Sequence, residues 1–338
     1  MTISRRKSEH LRIAETEDVV FHQKNNGFEH YDFIHCALPE LNLNDISIST
    51  QFLGKNLSFP FLISAMTGGF SGALRINAEL AEVCASEEIA ISLGSQRPLL
   101  EDESAAETYR IVRNKMPHGV VIGNIGAAQL VQMRSTVPFA RLVDVVEADA
   151  FTVHLNPLQE VLQPEGDVAF KGVLQGIETL VKELPVPIVV KEVGCGISEQ
   201  VAQKLARVGV RYIDVAGAGG TSWAAIEGYR NTANPLVNLF REWGIPTAES
   251  LAAIAKIPEI EIIASGGIDN GVTMAKALAM GAVMCGSALP VFKTLKKRKI
   301  TGLKDQILTW KKELQVALFL TGCKDIKSLQ ESNVLVKQ

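Results

Sequence analysis

The sequence predicts an α/β fold, a (β/α)8 TIM barrel with an N-terminal extension, and three observations predict it. From about residue 59 onward, eight short apolar runs alternate with amphipathic stretches. The runs are dense in Val, Ile and Ala without strict alternation, as expected of parallel strands buried on both faces. Nearly every run passes directly into small or polar residues, which in a barrel gather on the rim where active sites sit. Eight repeats in one chain favour a closed barrel over an open doubly wound sheet. The fixed hand of the crossovers then leaves little topological choice.

In chain order, the strands are expected at Phe59–Ala65, Ile89–Leu93, Val120–Asn124, Ala150–Leu155, Ile188–Lys191, Tyr212–Ala216, Glu261–Ser265 and Val283–Gly286. Helical patterns lie between them, for example Ala73–Ser86, Pro138–Glu147, Ser198–Arg207 and Val272–Met280. A glycine after any one strand reads as a tight turn; small or polar residues after all eight read as one shared rim. Residues 1–58 precede the first strand and form the extension to a barrel of residues 59–338. The extension opens on a basic helix and holds a hairpin, Ile46–Thr50 with Gln51–Ser58, placed to plug the barrel bottom. The long connection from Gly217 to Thr247 is an insertion on the rim and a candidate lid. No low-complexity linker divides the chain.

Composition narrows the function. With 47% apolar and 21% charged residues the chain is globular, and its 338 residues suit a single barrel. A net charge of −3 gives no general reason to bind nucleic acid or an anionic membrane. Basic character is local, at Arg5-Arg6-Lys7 and from Lys293 to Lys299, the second expected as a solvated helix face. The five cysteines are scattered and form no CxxC pair, which argues against a zinc site and suits a reducing compartment. A polar segment stands where a signal peptide needs its apolar stretch, and no apolar run is long enough to span a bilayer. The expectation is a soluble, cytoplasmic protein.

Several strand ends carry chemistry. Ala264-Ser265-Gly266-Gly267-Ile268 and Gly286-Ser287-Ala288 place bare amides after strands seven and eight, the common phosphate site of barrels. Lys191 ends strand five facing the barrel mouth, where it suits stabilising negative charge on a flavin or forming a Schiff base. After strand four, His154-Leu155-Asn156-Pro157-Leu158-Gln159-Glu160 offers a hard oxygen ligand for Mg²⁺ in Glu160 and an amide in Gln159. His154, taken alone, reads as a hydrogen-bonded core residue. After strand two, Ser95-Gln96-Arg97 offers a bidentate phosphate grip. Arg6, Lys7 and His10 reach the same anion if the N-terminal helix folds over the rim.

These residues form a pattern. Arg6-Lys7-x-x-His10, Ala65-Met66-Thr67-Gly68-Gly69, Leu93-Gly94-Ser95-Gln96-Arg97, Gly123-Asn124-Ile125-Gly126, the His154–Glu160 block, Val190-Lys191-Glu192-Val193-Gly194 and Gly219-Gly220-Thr221-Ser222-Trp223 resemble the type 2 isopentenyl-diphosphate isomerases. The resemblance runs from residue 5 to about 320 with the motifs in order. It implies FMN along Ala65, Met66 and Thr67, with Ser95, Asn124 and Lys191 around its polar edge. The ribityl phosphate would lie on Thr221, Gly266, Gly267, Ser287 and Ala288. Substrate diphosphate would meet Arg6, Lys7, His10, Ser95, Gln96, Arg97 and Gln159, with Mg²⁺ on Glu160. His154, Gln159 and Lys191 would be catalytic.

The resemblance further implies interconversion of isopentenyl and dimethylallyl diphosphate by a 1,3-proton shift, flavin kept reduced by NADPH, and a homo-oligomer, commonly a tetramer or octamer. The alternatives are an FMN-dependent 2-hydroxy-acid oxidase or dehydrogenase and a non-enzymatic barrel that binds phosphate ligands. The first wants a histidine base and arginine clamps late in the barrel, and Ala216–Trp223 provides neither.

Overall fold

A computed structural model describes residues 3–132 and 134–338; Met1 and Thr2 of the extension, and Met133, lie outside the described residues. The eight barrel strands are β1 (Phe61–Ile63), β2 (Ala90–Ser92), β3 (Val121–Gly126), β4 (Ala150–His154), β5 (Ile188–Lys191), β6 (Tyr212–Asp214), β7 (Glu261–Ser265) and β8 (Ala282–Ser287). They close in sequence order, all parallel, with β8 pairing back onto β1 through Gly286 opposite Leu62 and Ser287 opposite Ile63. Several strands are a residue or two shorter than their apolar runs, because the chain leaves the ladder as it enters the rim loops.

Register positions the chemistry. His154 lies beside Lys191 in the β4–β5 pair, and Lys191 lies beside Asp214 in the β5–β6 pair. The strand ends therefore bring an imidazole, an amine and a carboxylate to one level of the mouth. Outward-facing residues of the strands pack beneath the helices in the main core, for example Ile63, Ile91, Val121, Val153, Val190, Ile213 and Ile262.

The barrel bottom is filled from the extension. Thr50–Phe52 pairs antiparallel with Lys55–Leu57, and Phe52 and Leu57 join Leu62, Ile122, Val189, Ile263 and Met284 in a second buried cluster. Phe52 meets the Tyr212 ring edge-on at 5.7 Å. The turn sits at Leu53-Gly54, three residues beyond the expected reversal. Both residues have positive φ, 50° and 76°, as a two-residue hairpin loop requires, and glycine supplies that at little cost. A second antiparallel pair joins Tyr31–Phe33 of the extension to Leu335–Lys337.

Two further features refine the expectation. The Gly217–Thr247 connection folds into two short helices, Trp223–Arg230 and Leu236–Phe240. The N-terminal helix, Ile3–Thr16, lies against the first of them: Ile13, fully buried, packs on Val19, Ala225 and Ile226. A helix with a mean polar character thus carries one apolar anchor. The basic run Lys293–Lys299 sits on the helix Leu289–Leu320, which is interrupted at Lys299 by φ 60° and ψ −168°.

Candidate active site

The mouth of the barrel encloses a cavity of about 370 Å³. Arg6, Lys7 and His10 reach it from the N-terminal helix, and Ala65, Met66, Ser95, Arg97, Asn124, His154, Gln159, Glu160 and Lys191 reach it from the ends of β1 to β5. Thr221, Gly266, Gly267, Ser287 and Ala288 close the far side. Residues scattered over nearly the whole sequence converge on one space.

Two expected residues do not line it. Gln96 is fully buried. Its Nε2 donates to Leu142 O at 2.9 Å and its Oε1 accepts from Asn124 N at 3.0 Å. Both amide atoms are used inside the protein, so Gln96 is a brace for the end of β3 and not a substrate ligand. Thr67 lies just behind the lining. Its carbonyl accepts from Gly94 N at 3.2 Å, and a Cβ on Gly94 would stand 2.5 Å from the Thr67 backbone. Its Oγ1, like Ser64 Oγ and Asn156 Oδ1, is buried with no hydrogen-bond partner among the described residues.

On the far side the backbone is built for close approach. Gly266 and Gly267 have φ of 106° and 72°, and a Cβ on Gly266 would fall 2.2 Å from Gly217 O. With Ala288 at the start of the helix Leu289–Leu320, this is a cradle of amides suited to an anion. Cradle, orphaned hydroxyls and an adjoining polar edge of Asn124 and Lys191 together fit a phosphorylated ring cofactor such as FMN.

The polar edge has a defined protonation. Asn124 Nδ2 donates to Leu93 O at 2.9 Å, which orients Asn124 Oδ1 toward His154 Nδ1 at 2.7 Å. The neutral imidazole therefore carries its proton on Nδ1 and leaves Nε2 an acceptor. Burial, with Lys191 and Lys7 adding repulsion, pushes the His154 pKa down to about 3. A neutral His154 does not serve as a proton donor near pH 7. Lys191 Nζ donates to Glu192 O at 2.6 Å and stands 3.7 Å from Asp214 Oδ2. Asp214 Oδ1 is held by Ser265 Oγ at 2.6 Å.

The opposite end is cationic. Burial, then Arg97, lowers the Arg6 pKa. Lys7 Nζ donates to Gly68 O at 2.7 Å, to Ser95 O at 2.5 Å and to Tyr109 Oη at 3.2 Å. An ammonium has three donors, and here they tie the N-terminal helix to the loops after β1 and β2 and to Tyr109 on the helix Glu107–Lys115. Lys7 thus spends its donors on the protein itself. Burial first, then Arg6 and Arg97, pushes its pKa down from 10.5 to about 7.

Glu160 Oε1 accepts from Asn156 Nδ2 at 2.9 Å, and Oε2 accepts from Gln163 Nε2 and Asp167 N at 2.7 Å each. Oε1 keeps a lone pair for a further partner. Among the described residues no group of three or more His, Cys, Asp or Glu side chains forms a metal cage. That suits Mg²⁺, which commonly binds through one or two carboxylates plus phosphate oxygens and water. The sequence reading missed Glu227. This fully buried carboxylate accepts from Gln159 Nε2 at 3.3 Å and from Arg230 Nη1 at 2.6 Å, and lies 2.9 Å from His10 Nε2. Burial alone would raise its pKa, but His10 and Arg230 outweigh burial and hold it below the usual carboxylate value.

Known proteins resemble this chain in sequence and in fold. The family model of FMN-dependent dehydrogenases matches residues 159–336. An isopentenyl-diphosphate delta-isomerase from Pseudescherichia vulneris is 46% identical over 97% of this chain and 96% of its own length. One from Methanothermobacter thermautotrophicus is 43% identical over 99% and 93%. The chain belongs to the type 2 isopentenyl-diphosphate delta-isomerases. Beyond these isopentenyl-diphosphate isomerases the likeness is one of fold. A flavocytochrome b2 variant with sulfite bound has a TM-score of 0.72 at 18% identity, covering 97% of this chain and 83% of that one. A lactate oxidase from Pediococcus acidilactici has a TM-score of 0.68 at 14% identity, covering 98% and 94%. Among the described residues no helix is long and apolar enough to cross a membrane.

Proposed function

We propose that the chain interconverts isopentenyl and dimethylallyl diphosphate by a 1,3-proton shift, with reduced FMN beside the reacting carbons and Mg²⁺ on the diphosphate. One observation carries this reading: a single cavity has two separate anion ends, the amide cradle at Gly266, Gly267, Ser287 and Ala288 and the cationic end at Arg6 and Arg97 beside Glu160. A flavin phosphate takes the first and a diphosphate the second. Ala65 and Met66, with Thr67 just behind them, would line the ring, Ser95, Asn124 and Lys191 would meet its polar edge, and Thr221 would join the phosphate cradle. Arg6, Lys7, His10, Ser95, Arg97 and Gln159 face the substrate, and Glu160 holds Mg²⁺. NADPH is the reductant.

The chemistry calls for a proton added at the terminal methylene and another removed from C2. An alkene is a weak base, so the acid must be close and shielded from water. Reduced FMN supplies such an acid–base group when bound. The chain supplies an apolar wall of Leu11, Met66, Trp223 and Ile226, and Gln159 held by Glu227. His154, fixed as a neutral acceptor, accepts a hydrogen bond without adding charge. Anchoring the diphosphate far from the reacting carbon orients the hydrocarbon. Five free cysteines support a reducing, cytoplasmic setting. Exposed Leu239 and Trp243 on the rim insertion support contact with further copies of the chain, a homo-oligomer whose size, tetramer or octamer, rests on the family resemblance.

The test is product formation from isopentenyl diphosphate by flavin-loaded, chemically reduced protein with Mg²⁺ under nitrogen. No dimethylallyl product, with flavin bound and reduced, overturns the reading. Arg97→Ala is expected to raise KM roughly tenfold to a hundredfold, since a charge-assisted hydrogen bond contributes about 1.5–3 kcal/mol. Loss of flavin at unchanged KM would assign this arginine to the other anion.

Lys7 gives a pH signature. Its folded pKa of about 7 lies below the ordinary 10.5, so between those values the folded state binds fewer protons than the unfolded one. The cost of burying the amine is fully present below pH 7, and stability rises with pH through that window. A diphosphate beside Arg6 and Arg97 offsets their repulsion and raises the Lys7 pKa. Binding at pH 7.5 is therefore expected to take up roughly half a proton or more. Calorimetry in two buffers of different ionisation enthalpy measures it, and Lys7→Met should abolish it. Equal uptake in that variant would assign the proton elsewhere.

A further inference from the structure

Arg230 lies at the end of the rim helix Trp223–Arg230 with its side chain only 3% exposed. Each of its nitrogens serves a carboxylate from a different segment. Nε donates to Glu9 Oε2 at 3.1 Å on the N-terminal helix, Nη2 to Glu165 Oε1 at 2.6 Å in the loop after Glu160, and Nη1 to Glu227 Oε2 at 2.6 Å. The planar fork of arginine can meet three acceptors in this way; a lysine ammonium is a compact point charge without that fixed geometry.

Each carboxylate leads to the cavity. Glu9 belongs to the helix that carries Arg6, Lys7 and His10. Glu165 stands in the turn closed by Gly166 N on Gln163 O, and this turn sends Gln163 Nε2 and Asp167 N to Glu160. Glu227 accepts from Gln159. We propose that Arg230 is a positioning residue: one buried guanidinium that latches the N-terminal helix, the Glu160 loop and the Gln159–Glu227 pair into a single closed arrangement over the cavity. Without it, three carboxylates lose their shared cation, and Glu227, fully buried, keeps His10 as its one ionisable pairing partner among the described residues. The kinetic part of the proposal rests on the isomerase reading; the structural part does not.

The test compares flavin-loaded wild type with Glu9→Gln, Arg230→Lys and Arg230→Gln. Amide hydrogen exchange over residues 3–16 is expected to speed up at least tenfold in all three, with barrel strands and flavin affinity unchanged. Glu9→Gln cuts only the helix link, so it should raise KM and lower kcat less than threefold. Arg230→Gln should raise KM and lower kcat by a hundredfold or more, and Arg230→Lys should rescue kcat only in part. Wild-type exchange over residues 3–16 in Glu9→Gln and Arg230→Lys would overturn the latch. So would faster exchange spread evenly over the barrel with a fall in Tm, which marks mere structural support. If wild type itself shows no isomerase activity, the exchange measurement still decides the latch while the functional reading fails.

Discussion

Glu160→Gln is expected to cut Mg²⁺-dependent turnover by about 10–100-fold or more, the scale on which loss of a group supporting a bound metal acts, with flavin binding nearly unchanged. The change is close to isosteric, and the surrounding bonds dictate its outcome. Two donors, Gln163 Nε2 and Asp167 N, fix an acceptor at Oε2. The new amide must turn its oxygen to them and its NH2 toward Asn156 and the cavity. A carboxylate oxygen with a free lone pair becomes a donor that repels a cation. Chelating Mg²⁺ should therefore depress the wild-type rate strongly and the variant rate little. A variant with wild-type turnover and undiminished Mg²⁺ dependence would remove Glu160 from the metal site.

Redox stoichiometry separates the isomerase from every oxidase or dehydrogenase on this fold. The proton shift changes no net oxidation state, so one reduction should support many turnovers, and NADPH consumed under nitrogen should stay far below product formed. Lys191, held by Glu192 O and facing Asp214, places a positive charge at the polar edge of the cavity and favours the negatively charged form of a reduced ring there. Lys191→Ala should lower turnover even where flavin remains bound, with a changed reduced-flavin spectrum as an independent readout. One equivalent of NADPH per product, or full activity with oxidised flavin and no reductant, would rule out this use of the cofactor.

The barrel was legible because strands buried on both faces must be apolar throughout, and because the rim loops begin in small or polar residues. Most of the site was legible for the same reason: a residue just past a barrel strand has nowhere to go but the mouth. What sequence could not reveal is which way a loop side chain turns. Gln96 stands between two cavity residues, Ser95 and Arg97, yet points into the wall. Glu227 and Arg230 read as an ordinary i,i+3 pair on a short helix, and only packing of the N-terminal helix and the Glu160 loop makes them a hub. Docking of that helix rests on Ile13 against Val19, Ala225 and Ile226, and a single buried apolar residue leaves little periodic signal. The hairpin turn was placed early because Gly54, the residue that permits the reversal, was counted within a strand.

The pairing of Tyr31–Phe33 with Leu335–Lys337 bears on how the molecule is made. Its partners, from Phe33 with Leu335 to Tyr31 with Lys337, are separated by 302 to 306 positions, so this ladder closes only after nearly all of the chain has been synthesised. During synthesis the extension can seat Phe52 and Leu57 against early strands, but its outer segment stays without a partner, as does the open edge of β1 until β8 arrives. Contacts this distant slow folding and lengthen the life of unpaired edges. The nascent chain therefore spends its most aggregation-prone period with both seams open, and completion of the last strands protects the whole.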